Sequence, residues 1–155
     1  MAGETAERSR QIAAPADAVW AVVGDVTRMP EWSEELASVD VLEGDGRSPG
    51  SRFRGNNKAE ARAWSMTCVI DRYEEGRALE FHTENDKGEV RTRWWYRLGP
   101  AGDATAVTEG FERVAKLGKV RALAERKLLG DRTEYNTRNI DESLRRLAEL
   151  VERPT

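Results

Sequence analysis

The spacing of hydrophobic positions changes twice along this chain, from helical to alternating and back, and each change marks a boundary between helix and strand. Glu7 to Ala13 reads as a first strand closed by Pro15, whose missing N–H is harmless in the first turn of a helix. Val19, Trp20, Val22 and Val23 then give a short helix its apolar face, with Asp17 at the positive end of the helix dipole and Gly24 at the exit. Asp25 to Trp32, carrying Met29 and Pro30, makes a second turn or short helix. From Leu36 the alternation predicts strands at Leu36–Glu43, Ser51–Asn57, Ala61–Tyr73, Ala78–Thr83, Val90–Leu98 and Ala104–Arg113. The links between them are short and rich in Gly, Asn, Asp and Pro, so consecutive strands are expected as antiparallel neighbours.

After Arg113 helical spacing returns, first in a basic segment to Leu129 and then, past Gly130, in a more regular helix to about Glu152. Asp131 and Glu134 resemble a capping box, and Asn136, Ile140, Ser143, Leu144, Leu147, Leu150 and Val151 share one face. The opposite face carries the acid-to-base pairs Glu134–Arg138, Asp141–Arg145, Glu142–Arg146 and Glu149–Arg153. One strand, two short helices, six strands and a long amphipathic helix make an α+β chain whose sheet has one face to bury and one helix able to cover it. The sheet is expected to curl around that helix.

Length and composition narrow the picture. The expectation for 155 residues is one domain over 1–155, with 1–5 and 153–155 frayed. Hydrophobic residues at 39% against 34% charged, with 5 Trp, 3 Tyr and 3 Phe, fit a folded core under a strongly solvated surface. A net charge of -3 argues against nucleic acid as a partner, since that affinity rests on cations neutralising phosphates. The single Cys68 excludes an intrachain disulfide and a Cys-rich zinc site. The polar start Met1 to Thr5 lacks the order of a signal peptide, and the apolar run Ala18 to Val23 is too short to cross a bilayer. A cytoplasmic protein without a stable membrane anchor or cofactor is expected, and homodimerisation stays open.

A family resemblance is carried by Pro15-Ala16-Asp17-Ala18-Val19-Trp20, Asp25, Pro30 and Trp32, then Gly50-Ser51-Arg52-Phe53-Arg54-Gly55-Asn56-Asn57 and Trp64, then Gly76, Leu79, Phe81 and Thr92-Arg93-Trp94. In order and spacing these resemble the polyketide cyclase/dehydrase group of the START-like superfamily (SRPBCC, Bet v 1-like, helix-grip), over almost the whole chain. The resemblance implies a helix-grip fold of about seven antiparallel strands around a long C-terminal helix. It also implies a cavity between them of the kind that takes lipids, polyketides and other apolar ligands. In the aromatase/cyclase branch an arginine follows a tryptophan on the central strand; in the matching stretch Trp64-Ser65-Met66-Thr67-Cys68, that position holds Cys68.

Alternation selects the side chains that would face such a cavity, because residues i and i+2 share a face. The set is Phe53 and Asn57, Trp64, Met66 and Cys68, Phe81, Trp94 and Tyr96, and Glu109 and Phe111. Trp32 joins them as a residue that could gate the entrance, and Asn136, Asn139 and Ile140 as the helix side of the wall. The alternative for the aromatics is a solid core, since a buried tryptophan withdraws roughly 200 Å² from water. An empty apolar void of ~300 Å³ would cost about 7 kcal/mol at ~24 cal/mol per Å³, so a pocket, if present, argues for a ligand. Glu109 is the sharpest polar position; it pairs with an arginine, lies on the outer face after a strand irregularity, or serves a ligand by contact or acid/base chemistry.

Catalytic residues stay unassigned, with Glu109 and Tyr96 as candidates for moving a proton. His82 shares the phase of Glu80 and reads as a surface residue, no metal-ligand spacing is present, and Cys68 reads as a small buried hydrophobe. Three functions therefore stand open: binding of an apolar or aromatic small molecule, a cyclase/dehydratase-type enzyme, or an interaction module using the basic segment 113–127 or an exposed Trp95.

Overall fold

The computed structural model describes residues 5–114 and 132–152. Its elements are β1 (Thr5–Ile12), α1 (Ala16–Val23), a 3-10 turn (Val26–Glu31), β2 (Leu36–Glu43), β3 (Arg52–Ala59), β4 (Arg62–Glu74), β5 (Ala78–Glu84), β6 (Val90–Ala101), β7 (Ala104–Arg113) and α2 (Arg132–Glu152). The basic run from Lys116 to Lys127, the cap at Asp131 and the two chain ends lie outside the described residues.

The seven strands form one antiparallel sheet in the order β1-β7-β6-β5-β4-β3-β2. Hairpins join β2 through β7, while β1 reaches the far edge by pairing with β7, from Thr5 opposite Glu112 to Ile12 opposite Thr105. The connection from β1 to β2 runs through α1 and the 3-10 turn. Val19, Trp20, Val22 and Val23 are all buried, as their helical spacing predicts. Gly24 closes α1 by donating to the Trp20 carbonyl at 2.8 Å, and the Asp25 carboxylate caps the 3-10 turn by accepting from the Thr27 N–H at 3.0 Å. Tyr73 fixes this corner to the sheet by donating its hydroxyl to the Gly24 carbonyl at 2.8 Å.

Register shifts interrupt the ladder at Leu36/Ser38, Val41/Glu43, Ile70/Arg72 and Thr83/Glu84. Such irregularities bend the bulged strand and add twist, which helps the sheet curve. Helix α2 packs on β1, and touches β7 and α1. Ile140, Leu144, Leu147 and Ala148 form its buried stripe, meeting Ile12, Val107 and Val19 in the main core. Because the helix leans on one edge of the sheet, the side chains of β3 to β6 fill the rest of the concave space. Phe53 meets Phe81 edge-on at 5.3 Å, and Phe81 stacks on Tyr96 at 6.0 Å.

Three expectations are corrected by long-range partners. Asp141 pairs with Arg8 of β1 at 3.1 Å rather than with Arg145, which bonds Glu142 and Glu149 instead. His82 is not a free surface residue: its side chain is 13% exposed and its two ring nitrogens lie 2.8 Å from Asp71 and 2.9 Å from Glu84. Trp95 is not an open platform either. Its indole N–H donates to Glu7 at 2.7 Å, Arg97 sits 5.5 Å above its ring, and the ring lies flush on Gly110, where a Cβ would fall 2.4 Å from it.

Candidate functional site

Between the concave face, α2 and the segment that follows the 3-10 turn lies a cavity of about 170 Å³. Its floor comes from alternating positions of adjacent strands: Phe53 and Asn57 of β3, Trp64, Met66 and Cys68 of β4, Phe81 of β5, Trp94 and Tyr96 of β6, and Glu109 of β7. Asn136, Asn139 and Ile140 of α2 and Trp32 complete the wall among the residues singled out from sequence. Phe111 is placed elsewhere; it is buried against Trp94 at 5.3 Å and does not line the cavity.

Several wall residues escaped the sequence reading. Met29, Ser33, Glu34, Glu35 and Leu36 come from a segment with no sustained period, so no pattern marked its inward side chains. Thr83 also lines the cavity, and its signal was present, since it continues the phase of Phe81 one step further. A hydroxyl at a strand end simply carries no apolar mark.

The cavity's mouth is held by polar contacts between this segment and α2. Arg146 pairs with Glu34 at 2.9 Å and donates to the Ser33 carbonyl at 3.4 Å. Glu35 accepts from the Tyr135 hydroxyl and, at 3.2 Å, from the Asn139 amide. Asn139 thus faces the cavity while committing a donor to Glu35.

The interior is chemically sharper. Tyr96 and Glu109 are directly opposite one another in the β6/β7 register, and Arg8 is directly opposite Glu109 on β1. The arginine that could have neutralised Glu109 is instead spent on Asp141. Glu109 is 4% exposed and its Oε1 has no hydrogen-bond partner. Burial, only partly opposed by the Tyr96 hydroxyl, pushes this carboxyl up to about 8, so it holds its proton at neutral pH. The Tyr96 phenol is raised as well, by burial first and by Glu109 second. Burial also pushes the Cys68 thiol up to about 12, which leaves almost no thiolate. Trp32 meets Tyr96 edge-on at 5.4 Å, and its Nε1 is likewise buried without a partner.

This arrangement can receive an apolar molecule with polar groups, or exchange a proton with it. Among the described residues no cluster of three His, Cys, Asp or Glu side chains has the arrangement of a metal site. No described helix is long and apolar enough to cross a membrane.

Comparison with known proteins places the architecture. Over 74 residues the chain is 40% identical to a putative polyketide cyclase of Streptomyces halstedii, a stretch covering 46% of this chain and 67% of that protein. An aromatase/cyclase from Streptomyces sp. R1128 shares the fold with a TM-score of 0.74 at 18% identity, covering 96% of this chain and 93% of its own. A protein from Thermus thermophilus does so with a TM-score of 0.71 at 18% identity, over 95% of this chain and 96% of its own. At those identities the two structures speak for the fold alone. Residues 4–152 match the family described as polyketide cyclase/dehydrase and lipid transport, and that match takes in β1 through α2, so the chain belongs to this family.

Proposed function

We propose that this chain binds an apolar or aromatic small molecule, of the polyketide or lipid kind, in the cavity between sheet and α2. The observation that carries this reading is the cavity itself. Filling that space of about 170 Å³ with side chains instead would add packing worth up to about 4 kcal/mol at ~24 cal/mol per Å³. That is a large share of a domain's net stability, and a ligand is the plainest reason for a chain to keep the space open. Trp32, Trp64 and Trp94 on the wall make occupancy readable by fluorescence. Titration with naphthols, flavonoids and fatty acids is expected to change tryptophan emission and raise the melting temperature with at least one class. No shift with any of them, in either readout, would remove the reading.

A second reading is favoured by Glu109. A buried carboxylic acid holding its proton near neutral pH is suited to general acid/base work on a cyclising or dehydrating substrate, with Tyr96 beside it. Under this reading Glu109→Gln abolishes turnover of a poly-β-keto substrate while leaving its binding. Full turnover by that variant would overturn it.

A further inference from the structure

Resting on the cavity-binding reading, we infer that the ligand is a small uncharged compound of one or two rings with hydrogen-bonding groups at both ends, and that this cavity excludes carboxylates and other anions.

Size is the first argument. A void of ~150 Å³ in an engineered core accommodates benzene, whereas drug-sized ligands use pockets from ~300 Å³ upward. At about 170 Å³ this cavity suits one or two fused rings rather than an extended acyl chain.

The polar map is the second. Among the described residues, the buried side-chain atoms without a hydrogen-bond partner are Trp32 Nε1, Thr83 Oγ1 and Glu109 Oε1, and all three residues line this cavity. Buried polar groups are nearly always paired, so their gathering in one space marks the places where a bound molecule supplies the missing partner. They form two poles. Trp32 and Glu109 both adjoin Tyr96, whereas Thr83 lies in register with Thr92, which faces Arg113, four residues beyond Glu109 on β7. Two strand spacings and four residues separate Thr83 from Glu109 by roughly 16 Å along the sheet. Inward-pointing side chains on a curved sheet shorten that backbone separation, so a ligand bridging the two poles is no longer than a substituted bicyclic ring, about 10 Å.

Charge is the third. Among the described residues no Lys, Arg or His lines the cavity, while Glu34, Glu35 and Glu109 do. At the mouth Arg146 is paired with Glu34, and Arg8, opposite Glu109, is paired with Asp141. The titratable group facing Glu109 from β6 is Tyr96 and from β1 it is Arg8, while from the described part of α2 no charged side chain lines the cavity. An anion entering here would shed its water and find no counter-charge among the described residues. A neutral Glu109 both donates and accepts, and so matches an amide, an enol or a hydroxyketone.

The test uses the full chain and the matched probes naphthol, naphthamide and naphthoate, followed by calorimetry and tryptophan fluorescence near pH 6.5. The two uncharged probes are expected to bind at least about tenfold more tightly than naphthoate, a difference of about 1.4 kcal/mol or more. Naphthoate binding as tightly as naphthamide overturns the charge inference. Hydroxynaphthamide, able to reach both poles, is expected to bind more tightly than naphthamide, with Thr83→Val erasing the gain; equal binding of the two overturns the two-pole map. Raising the pH to about 9 should weaken naphthamide binding in the native chain but not in Glu109→Gln, and a parallel loss in both removes Glu109 from the selectivity. If palmitate binds and no naphthalene does, the size and charge inferences both fail while cavity binding stands. If neither class binds, cavity binding itself fails.

Discussion

Tyr96 and Glu109 face each other across β6 and β7, buried to 6% and 4% exposure, while the arginine opposite Glu109 on the other side, Arg8, is drawn away to Asp141 of α2. A carboxyl is thereby kept in the protein interior with a phenol for company and, among the described residues, no paired cation.

One consequence concerns stability against pH. The Glu109 carboxyl is raised from 4.5 to about 8 in the folded chain, so between those values the unfolded state has lost a proton that the folded state keeps. Stability contributed here falls as pH rises through that window, by an upper bound on the order of 5 kcal/mol at its alkaline end. Glu109→Gln is therefore expected to be close to neutral near pH 4.5 and increasingly stabilising toward pH 8.5, as read by urea unfolding at several pH values. A gain independent of pH would contradict it.

The Tyr96 hydroxyl holds the Glu109 carboxyl lower than burial alone would. Tyr96→Phe should move the carboxyl's titration further upward, which carbon-13 NMR of labelled glutamate reports directly. A downward move would mean that the phenol does not stabilise the carboxylate.

On the convex face the sign reverses. Burial works against a charge on His82, but the hydrogen bonds its ring donates to Glu84 and Asp71 outweigh it and raise the imidazole above its ordinary value of 6.5. The stabilising contribution of the charged ring is fully present below that value and is lost as pH rises through the higher folded one. His82→Gln should cost more stability at pH 6 than at pH 8.5, and equal costs would show that the charged form is not what the two carboxylates hold.

Gly110 has no room for a side chain, because Trp95 lies on it and a Cβ would come within 2.4 Å of the ring. Gly110→Ala must push Trp95 off its bond to Glu7, at an expected cost of about 1–3 kcal/mol in denaturant unfolding. An unchanged midpoint would mean that the ring is free to shift.

Cys68, 5% exposed and with its thiol pushed up to about 12, should resist aromatic disulfide reagents at pH 8 until the chain is unfolded in guanidinium. Rapid labelling of the folded chain would show that the cavity opens far enough to admit the reagent.

Much of this molecule was legible in one dimension. The alternation from Leu36 to Arg113 located six strands, and β2 and β7 fall on the residues expected, because burying one face of a strand needs only every second residue to be apolar. The phases that place Phe53, Trp64, Phe81, Trp94 and Glu109 on the cavity side follow from the same rule. The Ser33 to Leu36 segment was not legible, since no sustained period marks it, and Thr83, although in phase with Phe81, carries no apolar mark.

Which charge meets which was decided by packing between distant segments. Whether Glu109 took an arginine partner, an outer-face position or a place in the cavity wall was open in the sequence, and the first was foreclosed when Asp141, thirty-two residues along the chain, paired with Arg8 on β1. His82 and Trp95 were drawn from an apparent surface into networks in the same way, by Asp71 and by Glu7. Periodicity is a property of neighbours in the chain and survives any arrangement of the elements; the pairing of ionic groups is a competition among residues brought together only when β1, β7 and α2 meet, and it is that competition that leaves an uncompensated acid in the wall of the cavity.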